Sequence, residues 1–363
     1  MSTSLGSLIP FMKEGKVPMF IDNKFVTSKT NIADKDRVHL VHCPSTNMSL
    51  AKRKKFLLSF LHALENGQED LANIITREHG KTLCDARGEV RRGIEAVEET
   101  LSASSFLRGD NLHDIAEGMD CFTYKLPLGV CSGITPFNFP AMIPLWMFPI
   151  ACLAGNTFLL KPSERTPLAA TKLMSFVQEA GWPKGVVNVV ANIFTSCAES
   201  PGNALNATWG RKTMQLSCQE EALNGVVTAA FGEAGQRCMS ISVVLLVGDA
   251  GNWLEDLLLR AIGAGNDPSV KVGPLISKES KLRVKAAVKQ SIREGAKLVL
   301  DGLHPVVEGL PNGNFLGPTV LEIPHLDITA YKEELFGPVL CVKKVNSLQQ
   351  AVDLVNTNKY LLE

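Results

Sequence analysis

Neither sign of charge dominates this chain: 37 Lys and Arg residues balance 37 Asp and Glu residues, for a formal net charge of zero. That removes the general attraction to nucleic acid or anionic lipid that a basic surface provides. The one basic run, Lys52-Arg53-Lys54-Lys55, leads into an apolar-periodic stretch and reads as a solvated helix start. No uninterrupted apolar run reaches the roughly 18 residues of a membrane span. The nearest, residues 139–154, holds three prolines and reads as a buried helix. The nine cysteines are scattered, odd in number and never spaced C-x-x-C, which fits free thiols and argues against a disulfide framework. His39 and His42 form the one close histidine pair, without a thiol or carboxylate at ligand spacing, so no metal site is expected. Residues 1–16 carry no Arg and include Glu14, a weak organelle address. G-x-G-x-x-G and G-x-x-x-x-G-K-[ST] are both missing, so a nucleotide would have to be held in another way.

What is present, over 363 residues, suggests two domains, or one large α/β domain with an appendage, and can bury a sizeable core. Short strands are expected at Met19-Phe20-Ile21 and Phe25-Val26, across an Asp22-Asn23-Lys24 turn. Helical spacing then runs from Lys55 to about His79, with a second helix from about Cys84 to Phe106. The middle alternates: a buried strand at 129–134, an apolar helix at 141–153, a strand at 157–160, a helix at 167–180 and a strand at 186–190. Apolar strands between helices predict a parallel sheet covered on both faces, half of a doubly wound nucleotide-binding fold. Residues 191–219 show neither period. Regularity resumes with helices near 221–233, 252–264, 279–294 and 347–356 and strands near 241–247, 297–300, 315–322 and 338–345.

Four stretches carry candidate chemistry. Gly235-Gln236-Arg237-Cys238 sets a cysteine among small residues between a helix and a strand. A single buried cysteine is usually inert packing, but a thiolate is a strong nucleophile and Arg237 beside it would favour that form. Pro136-Phe137-Asn138-Phe139-Pro140 fixes the backbone at the carboxyl end of a sheet strand, where α/β sites lie. There the Asn138 amide either donates to an oxyanion or merely bonds the local backbone. Lys161-Pro162-Ser163-Glu164 is either a ribose-binding strand end or a surface turn. Glu333-Glu334-Leu335-Phe336-Gly337-Pro338 is either an acidic turn or a Glu and an aromatic ring for a second ribose and a planar ring.

Together with the run from Ala141 to Pro149, Gly155-Asn156-Thr157-Phe158 and Phe231-Gly232, these stretches resemble the aldehyde dehydrogenase superfamily. They are most similar to its CoA-acylating methylmalonate-semialdehyde dehydrogenase branch, over residues 17–45, 55–190 and 226–360. The resemblance implies an NAD-binding domain over 1–225, built on a doubly wound, mostly parallel sheet, and a second α/β catalytic domain over 226–363. It implies that Cys238 attacks the aldehyde, that Asn138 and the Cys238 backbone N–H hold the oxyanion, and that Arg92 and Arg237 grip the substrate carboxylate. Lys161 and Glu164 would contact the adenosine ribose of NAD, with Thr135, Phe137 and Arg165 flanking the cofactor, and Glu334 and Phe336 would position its nicotinamide half. Coenzyme A would take the acyl group after loss of carbon dioxide, in valine and thymine breakdown, in a homo-oligomeric mitochondrial enzyme.

Three departures bear on this expectation. Family residues are missing between Asn47 and Arg53, and between Val190 and Val226 the chain is shorter and the family's wording is lost. The lost words include the F-V-G-S-x-x-x-G turn, whose helix start faces the cofactor pyrophosphate, and the N-M-G-A-K-N segment beside the nicotinamide. The C-terminal arm that joins family subunits is also missing after Asn358-Lys359-Tyr360. A catalytically inactive fragment or isoform of this family and a CoA-independent aldehyde dehydrogenase are the alternatives.

Overall fold

A computed structural model describes residues 19–21, 23–26, 48–190, 219–266 and 272–356. Residues 1–18, His39 and His42, the aperiodic segment 191–218 and residues 357–363 fall outside it. The chain divides into two compact units. The first comprises Met1–His79 with Leu83–Thr195, and the second Gly80–Thr82 with Ser196–Glu363.

In the first unit, β1 (Met19–Ile21) and β2 (Lys24–Val26) pair antiparallel, turning at Asn23, which takes a left-handed φ of 61°. The helical stretch expected from Lys55 to His79 is two helices, α1 (Leu50–Asn66) and α2 (Gln68–His79). Ser49 caps α1, its hydroxyl accepting from the Lys52 N–H at 3.4 Å. Gly67 ends α1, donating its N–H to the Ala63 carbonyl, and no side chain would fit there because its Cβ would enter the Phe176 ring. The Lys52–Lys55 run does lie in the first turns of α1. Helix α3 (Leu83–Ser102) stops short of Phe106, and Ala103–Leu107 tightens into a 3-10 turn.

Next comes an antiparallel hairpin that the sequence did not announce, β3 (Asn111–Ala116) with β4 (Met119–Phe122). It is followed by β5 (Val130–Ile134), α4 (Met142–Leu153), β6 (Thr157–Lys161), α5 (Pro167–Glu179) and β7 (Val187–Val189). The five-stranded sheet runs β2-β1-β7-β6-β5, with β5, β6 and β7 parallel. Phe158 and Leu160 of β6 enter a core shared with Phe60, Leu145, Phe148 and Val177. Among the described residues β5 is an edge strand, with Val130 57% and Ile134 73% exposed and Leu159 beside them also exposed. Alternation on a strand sends neighbours to opposite faces, and no described element covers the second face here.

The second unit opens with α6 (Gln219–Phe231), then β8 (Val243–Val247), α7 (Leu254–Asn266), α8 (Lys278–Arg293), β9 (Lys297–Leu300), β10 (Thr319–Glu322), α9 (Thr329–Lys332), β11 (Val339–Val345) and α10 (Leu348–Asn356). Its sheet runs β8-β11-β10-β9, parallel except for β9. Here both faces are covered. Leu321, Val339 and Cys341 enter one cluster with Val284 and Val288 of α8. Val320, Leu340 and Val342 enter the other, with Leu223 and Phe231 of α6 and Leu257 of α7. No described helix is long and apolar enough to cross a membrane, and no described cluster of His, Cys, Asp and Glu could hold a metal ion.

Candidate active site

In the first unit, Thr135, Phe137 and Asn138 follow the carboxyl end of β5, and Lys161, Glu164 and Arg165 lie at and beyond that of β6. The strand register pairs Ile134 with Lys161, and the Thr135 N–H donates to the Lys161 carbonyl at 3.0 Å. Thr166, wholly buried, donates its hydroxyl to the Phe137 carbonyl at 3.2 Å, and the Phe137 ring stacks on His79. The turn through Asn138 is also anchored at the start of helix α4. Buried Glu89 of α3 accepts the Ala141 and Met142 N–H groups at 2.9 and 3.1 Å, capping α4 from outside its own sequence. Asn138 itself is buried. Gly93 on α3 lets Leu145 of α4 approach, where a side chain would collide with it. One turn from Glu89, Arg92 lies 5.4 Å over the Phe139 ring and donates its Nε to the Gly88 carbonyl.

Lys161 and Glu164 pair at 3.3 Å, and Lys161 also donates to the Pro162 carbonyl. Burial works to raise the Glu164 pKa, but its own backbone N–H, Lys161 and Arg165 together hold the carboxyl below its ordinary range. Glu164 and Arg165 are exposed, and Thr135 is buried with no protein hydrogen-bond partner for its hydroxyl.

In the second unit, Cys238 sits on the loop between α6 and β8, half-buried. The loop begins with three successive left-handed residues, Glu233, Ala234 and Gly235, with φ of 52°, 55° and 70°. Gln236, buried, then clamps it. Its Nε2 donates to the Glu233 and Pro274 carbonyls at 3.2 Å, and its Oε1 accepts the Ile276 N–H at 2.9 Å. Ser240 ties the far side to α6 through the Ala229 carbonyl at 2.9 Å. Gly235 packs against the Gly337 carbonyl, where a Cβ would clash, so the Glu334–Phe336 stretch lies against the cysteine loop. That stretch is held from α8, because Arg283 donates to the Glu334 and Leu335 carbonyls at 3.3 and 2.7 Å. Phe336 takes a φ of 50°, and the Glu334 side chain is exposed.

The electrostatics correct one expectation. Burial pushes the Cys238 thiol up, the N–H groups of Cys238 and Met239 pull it down, and the carboxylates of Glu233 and Glu334 add to the rise. Arg237 does not counter this, because its guanidinium pairs with buried Glu233 at 3.4 Å. Sequence reasoning assigned no role to Glu233, Lys81, Gln236 or Arg283. A hint was available in Glu233 itself, a charged residue amid the small residues around Phe231-Gly232 and Gly235. What the sequence could not supply was its partner, Lys81.

The first unit thus carries polar groups beyond the ends of parallel strands, where α/β sites lie, and the second carries a half-buried cysteine on a loop clamped by Gln236. The chain belongs to the aldehyde dehydrogenase family, whose model matches residues 42–205 and 217–363. The match runs further into the 191–225 region than the legible wording did. The probable methylmalonate-semialdehyde/malonate-semialdehyde dehydrogenase [acylating], mitochondrial, of Anopheles gambiae is 39% identical, over 94% of this chain and 77% of the relative. The corresponding human protein is 37% identical over 99% of this chain and 77% of its own length. Among solved structures, the methylmalonate-semialdehyde dehydrogenase of Oceanimonas doudoroffii matches with a TM-score of 0.84 and 30% identity, over 95% of this chain and 83% of that one. A Sinorhizobium meliloti structure described as a putative methylmalonate-semialdehyde dehydrogenase complexed with NAD matches with a TM-score of 0.79 and 29% identity, covering 93% and 81%.

Proposed function

We propose that this chain oxidises methylmalonate semialdehyde and malonate semialdehyde, with NAD as oxidant and coenzyme A as acyl acceptor, releasing carbon dioxide and propanoyl-CoA or acetyl-CoA. The observation that carries this reading is Arg237, the chain neighbour of Cys238, paired with buried Glu233 and keeping part of its side chain exposed, since a carboxylate-bearing aldehyde needs both a cation and a thiol. The names of the relatives support it, and their mitochondrial designation supports the same location for this chain.

The polar groups at the ends of β5 and β6 fit NAD: the buried Thr135 hydroxyl lacks a protein partner, and the Lys161–Glu164 pair suits ribose hydroxyls. Phe137 and Arg165 would flank the adenosine half, and Glu334 and Phe336 would contact the nicotinamide half. Cofactor binding is thus assigned to the first unit and covalent chemistry to the second. NAD, when bound, supplies the acceptor for the hydride lost by the aldehyde carbon.

Cys238 must first give up its proton, which its raised pKa opposes, so the fraction of thiolate limits the attack. Its sulfur then bonds the aldehyde carbon, and the C=O pair moves to oxygen. The Cys238 N–H and the Asn138 amide are the donors proposed for that oxyanion. Arg237 and Arg92 bind the substrate carboxylate. After oxidation the acyl group is a thioester on Cys238 with a carboxylate β to its carbonyl. The carboxylate leaves as carbon dioxide, its bonding pair passes into the thioester carbonyl, and the α-carbon takes up a proton. The CoA thiol, as thiolate, displaces the Cys238 sulfur and the free thiol is restored.

The test is to supply methylmalonate semialdehyde, NAD and CoA and measure NADH together with propanoyl-CoA. Both should form, and both should vanish in Cys238→Ala. NADH formed without CoA dependence would indicate a hydrolytic dehydrogenase instead. Absence of NADH under saturating conditions would select the other reading, a catalytically inactive fragment or isoform of the family.

A further inference from the structure

The Lys81–Glu233–Arg237 cluster contains two residues, Lys81 and Glu233, that no catalytic step uses. Glu233 holds a left-handed backbone that side chains other than Gly, Asn and Asp seldom adopt. Strain of this kind persists only where surrounding structure enforces it. The conformation turns the carboxylate inward, where one oxygen lies 3.3 Å from the Lys81 ammonium and the other 3.4 Å from the Arg237 Nε. The Lys81 and Glu233 side chains are wholly excluded from solvent, whereas Arg237 keeps 25% of its side chain exposed. The guanidinium also lies against Gly232, where a Cβ would sit within 3.1 Å of Cζ and both terminal nitrogens. The group is therefore held on its Nε edge by a buried anion and on one face by a residue with no side chain, with a quarter of its side chain exposed.

We propose that Glu233 is the positioning residue for Arg237, fixing the guanidinium so that it receives the carboxylate of a semialdehyde arriving at Cys238, with Lys81 balancing the buried anion. A guanidinium held in one place on the cysteine loop favours aldehydes carrying a carboxylate over neutral ones. This inference rests on the reading that Arg237 binds that carboxylate.

The test needs no turnover. Cys238 in the full chain is alkylated with iodoacetate and, separately, with neutral iodoacetamide, and the rate constants are read from the Cys238 peptide by mass spectrometry. Their ratio, normalised to that of glutathione at the same pH, reports how well the site draws a carboxylate to the thiol. Glu233→Asp keeps every charge but withdraws the carboxylate by one methylene. The double variant Lys81→Met/Glu233→Gln removes one charge of each sign and leaves the local sum unchanged. We expect the ratio to fall at least about threefold in both and to collapse to the glutathione value in Arg237→Met. A change confined to general packing would slow both reagents alike and leave the ratio where it was. An unaltered ratio in Arg237→Met contradicts the underlying assignment of Arg237. A collapse in Arg237→Met, with an unchanged or raised ratio in whichever Glu233 variant melts cooperatively, overturns the positioning role alone.

Discussion

Gly235 and Gly337 meet backbone to backbone, so closely that a Cβ on Gly235 would run into the Gly337 carbonyl oxygen. Gly235 also holds a φ of 70°. Gly235→Ala thus combines a left-handed alanine with a backbone collision. It should cost about 1–3 kcal/mol or more, read as a lowered melting temperature, and should slow Cys238 alkylation once the loop moves. An unchanged melt would mean that the two loops are not in register as described.

The Cys238 thiol should titrate above an ordinary cysteine, because burial and two carboxylates disfavour its anion. Following iodoacetamide alkylation against pH should give a midpoint raised in the wild type. Glu334→Gln, which removes an exposed carboxylate, should move it down. A midpoint that rises in Glu334→Gln contradicts this.

Glu89 reaches from α3 to accept two N–H groups at the start of α4. Glu89→Ala should strand both donors in the interior at a cost of about 1–3 kcal/mol each. The melting temperature should fall, and the Asn138 turn that precedes α4 should lose hydrogen-exchange protection. Protection that is retained would place the support for that turn elsewhere.

Burial pushes the Glu78 carboxyl from its ordinary 4.5 up to about 8, against the pull of the Leu168 and Ala169 N–H groups and with the Glu89 charge adding to the rise. The folded state therefore binds this proton more tightly than the unfolded chain. The stability it contributes is complete below the unfolded pKa and is lost as pH rises through the folded one. Relative to Glu78→Gln, the wild type should lose on the order of 1–3 kcal/mol between about pH 5 and about pH 9. Parallel stability curves for the two proteins would rule this out.

Much of this was legible because its causes are local. Ala141 to Leu153 is apolar on all sides and stops at Gly155-Asn156, so helix α4 could be placed from sequence. Thr157–Lys161 and Val187–Val189 are short, largely apolar runs on either side of the helix Pro167–Glu179, and they pair as parallel strands. The β3–β4 hairpin escaped notice because its strands lie on the surface and show no buried alternation. The exposed face of β5 escaped for the opposite reason: Val130 and Ile134 look like core residues, and only tertiary structure reveals what covers them. Gly67 was legible as a residue but not as the end of α1, since one glycine inside a helical pattern can be tolerated. At the site, the Cys238 and Asn138 stretches stood out by wording. Lys81 meeting Glu233, and Gln236 bonding Pro274 and Ile276, are long-range pairings that one sequence does not encode in any readable spacing.

The central claim is that Cys238 carries the acyl group. The direct measurement is peptide mass spectrometry after the protein is mixed with methylmalonate semialdehyde and NAD in the absence of CoA, then quenched in acid. The account predicts a propanoyl thioester on the Cys238 peptide that appears only when NAD is present and disappears on adding CoA. An adduct on another cysteine, or none on Cys238 while NADH accumulates, would contradict it.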